Sequence, residues 1–350
     1  MRKSCRLAAF GALALLAAPV SAAPAGTPPA ATVVRSPTLD AVRAAGKLDC
    51  AVVAPQDDWN GQDLHGDLSK FETEFCRAVA AAIFGDPGKV TIHIMPGESE
   101  VVGALRFGQV QLAVGLSPST EVAVAQGIAF GRPIFFDMQR IITHKDSGIH
   151  DVAGLRDRLV CAMDLLPPEI TLQEELRARN IRFGLQSHSE QGEMDAAIAV
   201  RRCAAGTGME TRLAQSRANF HARTVDFVFL PERWAISPMV VATRFGDPLW
   251  SIAANDMVDA LIEAEALGIT QANVAQAAAR EDMRARRLLG RDIAISRALG
   301  LPRDWGTREI VAVGNFGEMF DHTVARPYRL ERGLNALWTE GGLMVPMPLH

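Results

Sequence analysis

The sequence lacks an excess of positive charge and, beyond its first 22 residues, any long apolar run. It has 350 residues, with 36 lysines and arginines against 40 aspartates and glutamates, for a formal net charge of −4. A mildly acidic balance argues against partners such as nucleic acid or an anionic membrane surface. No apolar run after the N-terminal one reaches the length of about 20 residues that crosses a bilayer. We therefore expect a soluble chain that contacts neither nucleic acid nor lipid.

Motifs for bound metals, phosphates and dinucleotides are also lacking. No two cysteines are close in sequence, and no histidine lies at the spacing that metal ligands need. Ser117 or Ser119 with His144 or His150 would be the candidate pair of nucleophile and base. Because no G-x-S-x-G turn joins a strand to a helix, we expect no catalytic residues. Because the metal, phosphate and dinucleotide motifs are lacking, we also expect no metal and no cofactor.

The N-terminus has the three parts of a secretory signal. Positive charge in the first six residues precedes a short apolar run at residues 7–18, and residues 20–22 supply the small residues of a cleavage site. We predict that residues 1–22 are a cleaved signal peptide, that residues 23–36 are a flexible spacer, and that the mature protein is periplasmic. Removing the signal removes three positive and no negative charges, which takes the formal charge from −4 to −7.

Only four cysteines remain in the predicted mature chain. An even number in an exported protein indicates disulfide bonds, and four cysteines allow three connectivities. Their spacing favours the pairs Cys50–Cys76 and Cys161–Cys203, each within one half of the chain. Inert buried thiols are the alternative.

The chain alternates between segments typical of helices and of strands. The predicted elements include helices at residues 38–47, 71–84, 98–107 and 308–324, and strands at residues 48–53, 90–94 and 110–114. The β-α-β-α-β order indicates an open sheet with helices on its faces. A smaller α/β pattern starts near residue 144 and ends near residue 238. We predict an α/β fold of two lobes joined by a two-strand hinge, with residues 37–143 and 239–350 in the first lobe and residues 144–238 in the second.

Residues 108–123 contain the stretch around which we expect a site. Alternating apolar residues predict a short buried strand, and small hydroxyl residues with a proline predict a loop at residues 115–120. Ligands of open α/β sheets bind beyond the carboxyl ends of the strands, where Ser117, Ser119 and Thr120 would lie with Trp59 of an earlier loop. An ordinary strand-to-helix connection is the alternative.

Several runs of the mature chain resemble the periplasmic solute-binding proteins of family 3, and within them the general L-amino-acid receptors of ABC importers. The resemblance implies a bilobed α/β fold, disulfides Cys50–Cys76 and Cys161–Cys203, and a small solute held between the lobes. The runs that carry it are residues 75–86, 264–274, 287–290, 299–305, 312–320 and 332–342.

The residues that would hold an α-amino acid depart from that family. The resemblance implies an arginine at the fourth position of T-x-x-R, which grips the solute carboxylate, but residues 120–123 read T-E-V-A and end in Ala123. A run of S-G-T-T is replaced by residues 164–168, D-L-L-P-P, in which the prolines have no N–H to donate. At the position of the ammonium-binding aspartate stands Met209, followed by Glu210.

We therefore expect a solute other than a standard α-amino acid. Asp164, Glu121 and Glu210 would suit a cationic or amine-bearing solute, and Trp59 keeps an aromatic ring where the family stacks one on the ligand. The candidate binding residues are Trp59, Ser117, Ser119, Thr120, Asp164 and Glu210. The expected partners are this solute and an ABC transporter, and the expected state is a monomer.

An alternative reading is a periplasmic sensor or accessory protein that keeps the scaffold and has a degenerate cleft. The apolar residues Leu165, Leu166 and Met209 at former polar positions favour it.

Overall fold

The structure is a computed structural model that describes residues 35–54, 66–164, 166–221, 226–347 and 349. The predicted signal peptide, most of the spacer, Trp59 and Leu165 lie outside these residues. The described strands are β1 (Leu48–Val53), β2 (Val90–Met95), β3 (Leu112–Leu116), β4 (Ile128–His144), β5 (Leu159–Met163), β6 (Gly184–His188), β7 (Ala205–Met209), β8 (Phe227–Phe229) and β9 (Ile236–Arg244).

Fourteen α-helices accompany these strands in the described residues. They are α1 (Pro37–Ala45), α2 (Ser69–Phe84), α3 (Glu98–Arg106), α4 (Thr120–Gln126), α5 (Pro167–Ala178), α6 (Gln191–Ala199), α7 (Glu210–His221), α8 (Pro248–Ala266), α9 (Val274–Ala277), α10 (Met283–Leu288), α11 (Ala294–Leu299), α12 (Trp305–Val313), α13 (Phe316–Phe320) and α14 (Arg326–Tyr328). Among the described residues, no helix is both long and apolar enough for a membrane span.

The strands form one hydrogen-bonded sheet in the order β2-β1-β3-β9-β4-β7-β5-β6, with β8 beside β4. The long strand β4 lies in the middle of the sheet and pairs with strands on both sides. Its N-terminal part pairs with β9 as far as Met138, opposite Ile236, and its C-terminal part pairs with β7 from Gln139, opposite Met209. We call β2, β1, β3, β9 and β4 up to Met138 the first half of the sheet, and the remainder the second half.

Helices cover both faces of each half. In the first half, one core packs β1 and β3 against α2, α8 and α12, and another packs the opposite face against α3. In the second half, α5 packs on one face, and α6 and α7 pack on the other. The carboxyl ends of the parallel strands β1, β2 and β3, and of β5, β6 and β7, are therefore left free to form a site.

Helix α2 forms as its periodicity predicts. Phe71, Phe75, Val79 and Ile83 are all buried on one stripe, and Gly85 ends the helix in the left-handed region, at φ 73°. Phe71 packs edge-on against Phe135 of β4, with ring centroids 5.9 Å apart, and so anchors α2 to the core.

Both predicted disulfides are present. Cys50–Cys76 ties β1 to α2, with Cα atoms 6.0 Å apart, and Cys161–Cys203 ties β5 to the residue pair before β7, with Cα atoms 5.7 Å apart. The pairing within each half of the chain is therefore confirmed, and the alternative of free thiols is wrong.

Two segments differ from the sequence-based expectation. The helix predicted at residues 308–324 is broken, because Gly314 leaves helical geometry at φ 82° and Asn315 starts α13 with a capping box. The loop predicted at residues 115–120 is shorter, because β3 extends to Leu116 and α4 begins at Thr120.

Candidate functional site

The end of β3 places Ser117 against a carboxylate of this chain. The backbone N–H and the hydroxyl of Ser117 both donate to Oε1 of Glu98, at 3.0 and 2.8 Å. Glu98 is the first residue of α3, separated from the end of β2 by two residues, and the parallel strands β2 and β3 lie on either side of β1, which brings the two residues to the same edge of the sheet. Paired N–H and O–H donors are the groups with which proteins hold a ligand carboxylate. In this chain Glu98 accepts both bonds.

Ser119 and Thr120 have local roles at the start of α4. The hydroxyl of Ser119 caps the helix by accepting from the N–H of Val122 at 3.3 Å. Thr120 is exposed and Ala123 is half-buried one turn later. The methyl side chain of Ala123 leaves this turn of α4 without the cation of T-x-x-R.

Ser117 and Ser119 line the same groove, between α3 and α4. Its volume is about 480 Å³. We call it the serine groove, and it is lined by Glu98, Ser99, Val102, Gly103, Arg106, Phe107, Ser117, Pro118, Ser119, Val122, Gln126 and Phe130.

The end of β5 shows what the two prolines do. Pro167 is the first residue of α5, a position where the missing N–H is not needed. The carbonyl of Pro168 accepts from Nε2 of the buried Gln139 at 2.7 Å. Asp164 is exposed, and its backbone N–H donates to the carbonyl of His188 at 2.8 Å.

Met209, the last residue of β7, and Glu210, the first residue of α7, have different surroundings. Met209 is only 3% exposed and pairs with Gln139 of β4. Glu210 forms an ion pair with Arg140, with 2.5 Å between Oε1 and Nη1. Burial raises the pKa of Glu210, although the nearby Arg140 opposes this. Glu210 lines a cavity with four arginines and not the serine groove.

Sequence reasoning missed a buried network at the start of α7. The carboxylate of Asp137 accepts hydrogen bonds from the hydroxyl and the backbone N–H of Thr211. The hydroxyl oxygen of Thr211 also accepts from the N–H of Gly66 at 2.9 Å. The segment at Gly66 is thus fixed to the second half of the sheet. A single acid inside the apolar run of β4 was the available signal, because a buried carboxylate needs donors.

A second missed carboxyl lies beneath β3. Glu72 of α2 is 1% exposed, and burial raises its pKa well above the usual value. A Cβ atom on Gly115 would lie 1.9 Å from Oε1 of Glu72, and Gly115 has φ 90°. Only glycine satisfies both conditions, so Gly115 is required for the carboxyl to reach the end of β3.

Among the residues that the structure describes, one group of potential metal ligands lies close together. The Sγ atoms of Cys161 and Cys203 and Nε2 of His188 lie within 4.8 Å of one another. Because the two sulfurs are joined in a disulfide, they offer no thiolate to a metal, and the imidazole is the remaining free ligand. His144, the base considered from sequence, is buried with Nε2 2.8 Å from the carbonyl of Ile198.

No family model matches the chain. Among curated proteins, it is 32% identical over 358 residues to the "Glutamate/glutamine/aspartate/asparagine-binding protein BztA" of Rhodobacter capsulatus, with all of both chains covered. It is 31% identical to the "General L-amino acid-binding periplasmic protein AapJ" of Rhizobium johnstonii, over 91% of this chain and 95% of that one.

A solved structure is similar over most of the chain. It is the "ABC transporter / periplasmic binding protein from Brucella ovis with glutathione bound", at 30% identity and a TM-score of 0.73. The similarity covers 90% of this chain and 100% of the solved one.

Proposed function

The chain belongs to the amino-acid-binding periplasmic proteins of solute-binding family 3, and on that premise we propose that it is a receptor that binds a small polar solute for an ABC importer. Its relatives are named for amino-acid binding, and its structural neighbour holds glutathione. The bilobed α/β fold class predicted from the sequence is confirmed by this similarity. In this proposal the chain is a binding protein and not an enzyme.

The observation that carries the proposal is the pair of strands that joins the two halves of the sheet. β4 passes from one half to the other, and the chain returns beside it at Trp234 and Ala235, which bond to Gln139, before β9 starts at Ile236. Two adjacent connecting strands permit a hinge motion that closes two lobes on a solute. We propose lobe 1 at residues 37–143 and 239–350 and lobe 2 at residues 144–238.

The same proposal places the protein in the periplasm. The two disulfides suit an oxidising compartment. The N-terminal residues 1–22 have the pattern of a secretory signal.

The contacts of Glu98 support a solute that is not held by an α-carboxylate at Ser117. Both donors of Ser117 already bond to Glu98, and Ala123 supplies no guanidinium. A second carboxylate at this place would meet the negative charge of the first. We propose that Glu98 offers this charge to an amine of the solute, with Ser117, Ser119 and Thr120 beside it.

On the same proposal, two of the remaining candidates contribute from other loops. Asp164 at the end of β5 offers an exposed carboxylate. Trp59 supplies an aromatic side chain, whereas Glu210 is paired with Arg140 in a different cavity and has no part in this proposal.

A periplasmic sensor or accessory protein is the second candidate function. It is favoured by the internal bond between Glu98 and Ser117 and by the buried Met209, which both replace contacts to a solute by contacts within the chain.

Thermal unfolding tests these candidates. Oxidised residues 23–350 are stripped of ligand by partial unfolding and refolding, then heated with amino acids, polyamines, glutathione or small organic acids. A ligand at 100 times its dissociation constant adds about 2.7 kcal/mol. Stabilisation by amines alone supports the proposal, and stabilisation by ordinary amino acids contradicts the amine assignment. No stabilisation by any of them favours the sensor or accessory role.

The Glu98→Ala variant examines the proposed role directly. Loss of the carboxylate frees two donors on Ser117, so we expect amine binding to weaken at least tenfold and binding of simple α-amino acids to strengthen. Glu100→Ala, an exposed acid in the same turn of α3, is the control. Titration calorimetry measures both. Unchanged affinities in Glu98→Ala would rule out the proposed role of Glu98.

A further inference from the structure

A cavity of about 260 Å³ lies beside the strands that join the two halves of the sheet. It lies among β4, β8, α7 and the residues that follow α14. Its charged lining consists of Arg140, Arg217, Arg233, Arg329, Glu210 and Glu331. Four cations against two anions leave a net charge of +2. We call it the arginine cavity.

Two of the guanidinium groups are held in place. Arg140 donates to the carbonyl of Leu230 at 2.7 Å and to Glu210, and its guanidinium lies 5.0 Å from the ring centre of Phe229. Arg217 lies 4.7 Å from the same ring centre and donates to the carbonyl of Arg329 at 2.7 Å. These guanidiniums are ordered in advance, so a ligand need not immobilise them.

The other two guanidinium groups are free to accept a ligand. Arg233 and Arg329 are exposed, and neither side chain has a hydrogen bond or ion pair within the part of the chain that the structure describes. Arg329 also has φ 53°, a backbone conformation that is costly for a side chain other than glycine. The fold holds a strained arginine at the edge of a cavity that already contains three others.

The acids of the cavity do not balance this charge. Glu210 is paired with Arg140, and burial of Arg140 lowers the pKa of its guanidinium despite that pair. Glu331 is exposed. A ligand with two negative charges would bring the cavity to neutrality.

We propose that the arginine cavity binds a small dianion of the carboxylate or phosphate type. Planar guanidinium groups bond the oxygens of either group in pairs. The cavity volume of about 260 Å³ is large enough for a small molecule that bears two anionic charges. A four-carbon dicarboxylate and inorganic phosphate are small dianions of this type.

The site is separate from the serine groove and touches both halves of the sheet. Arg140 lies on the second-half part of β4, whereas Leu330, next to Arg329, packs in the main core of the first half. A bound dianion would thus contact both sides of the connection. Its occupancy would be coupled to any solute that changes the relative position of the halves, and the coupling would be reciprocal.

Titration calorimetry on oxidised residues 23–350 tests the proposal, with succinate and inorganic phosphate as probes and acetate as the monovalent comparison, all at constant ionic strength. We expect one saturable site for a dianion, with affinity at least tenfold above that for acetate. Binding of succinate alone identifies a dicarboxylate site, of phosphate alone a phosphate site, and of both a general dianion site. No saturable binding of either dianion overturns the proposal.

The double variant Arg233→Gln, Arg329→Gln locates the site. Neither side chain has a partner to lose, so the melting temperature should stay within a few degrees while dianion affinity falls about a hundredfold, tenfold for each arginine. The matched control is Arg158→Gln, Arg202→Gln, which removes two exposed arginines that precede the N-terminal ends of β5 and β7. Unchanged affinity in the first pair, or an equal loss in the control pair, overturns the proposal.

Discussion

Two glutamates, Glu309 in the first half and Glu210 beside the second half, are accommodated in opposite ways. In the first half, Glu309 of α12 is fully buried, and its carboxyl oxygens have no hydrogen-bond partner among the described residues. Beside the second half, the half-buried Glu210 is paired with the buried Arg140. An unpaired buried carboxyl avoids the cost of burial by staying protonated, whereas a pair remains charged and requires both members. The first arrangement therefore makes stability depend on pH, and the second makes it depend on the partner.

Removal of Glu210 should have the largest effect on stability. Glu210→Ala leaves the guanidinium of Arg140 buried without its carboxylate, which costs about 3–5 kcal/mol. Urea unfolding measures the loss. Glu331→Ala removes an exposed acid from the same cavity and should change stability by less than about 0.5 kcal/mol. Equal effects of the two substitutions would show that pairing with Arg140 is not what matters.

Asp259 combines the two arrangements, because it is buried in the first half and yet has a cation nearby. Its Oδ1 lies 3.2 Å from Arg132, but burial raises the pKa of Asp259 to about 7. Because the pKa of Asp259 is higher in the folded than in the unfolded chain, this group stabilises the fold below about pH 4. The stabilisation decreases by about 1.4 kcal/mol per pH unit as the pH rises to about 7.

We expect Asp259→Asn to remove this part of the pH dependence, so that the stability of the variant increases relative to that of the wild type as pH rises. Melting temperatures at pH 5 and pH 8 measure it. Asp157→Asn, at an exposed ion pair, is the control. Parallel pH profiles of Asp259→Asn and the wild type would contradict the expectation.

Glu309→Leu should have a smaller effect, of about 1–3 kcal/mol, and in the stabilising direction. Leucine removes a buried polar group that has no partner in the described chain. Because burial raises the pKa of Glu309 well above its usual value, the wild type loses stability as pH rises through that pKa, and the variant does not.

Urea unfolding at pH 5 and pH 8 compares the two proteins. Glu174→Leu, at an exposed position of α5, serves as the control for the added leucine. A destabilised Glu309→Leu would mean that the carboxyl is needed at this position.

Local patterns were sufficient for most of the elements. The apolar spacing in α2 and the alternation of strands and helices predict the first half because each signal lies within about 15 residues. The disulfides follow from their compartment and spacing. Helix α7 was not predicted, since its residues are polar and its burial comes from contacts made by β4 and the segment at Gly66.

The candidate site was less predictable than the fold. Ser117 was selected as a free donor, but its partner Glu98 becomes adjacent only when β2 and β3 lie in one sheet on either side of β1. The four arginines of the arginine cavity are spread from residue 140 to residue 329. Contacts over such separations depend on the whole topology, which no local pattern contains.

The place of β9 in the sheet constrains the order in which the chain can fold. β9 lies between β3 and β4, and Ala113 pairs with Ala242, so the edge of β3 stays unpaired until the whole intervening segment has been made. Pairing over such a distance raises contact order and slows folding. Cys161 and Cys203 both lie inside that segment, and Cys50 and Cys76 both lie before it. Both cysteine pairs therefore precede β9, the last strand in the chain, so each disulfide can close before β9 is inserted between β3 and β4.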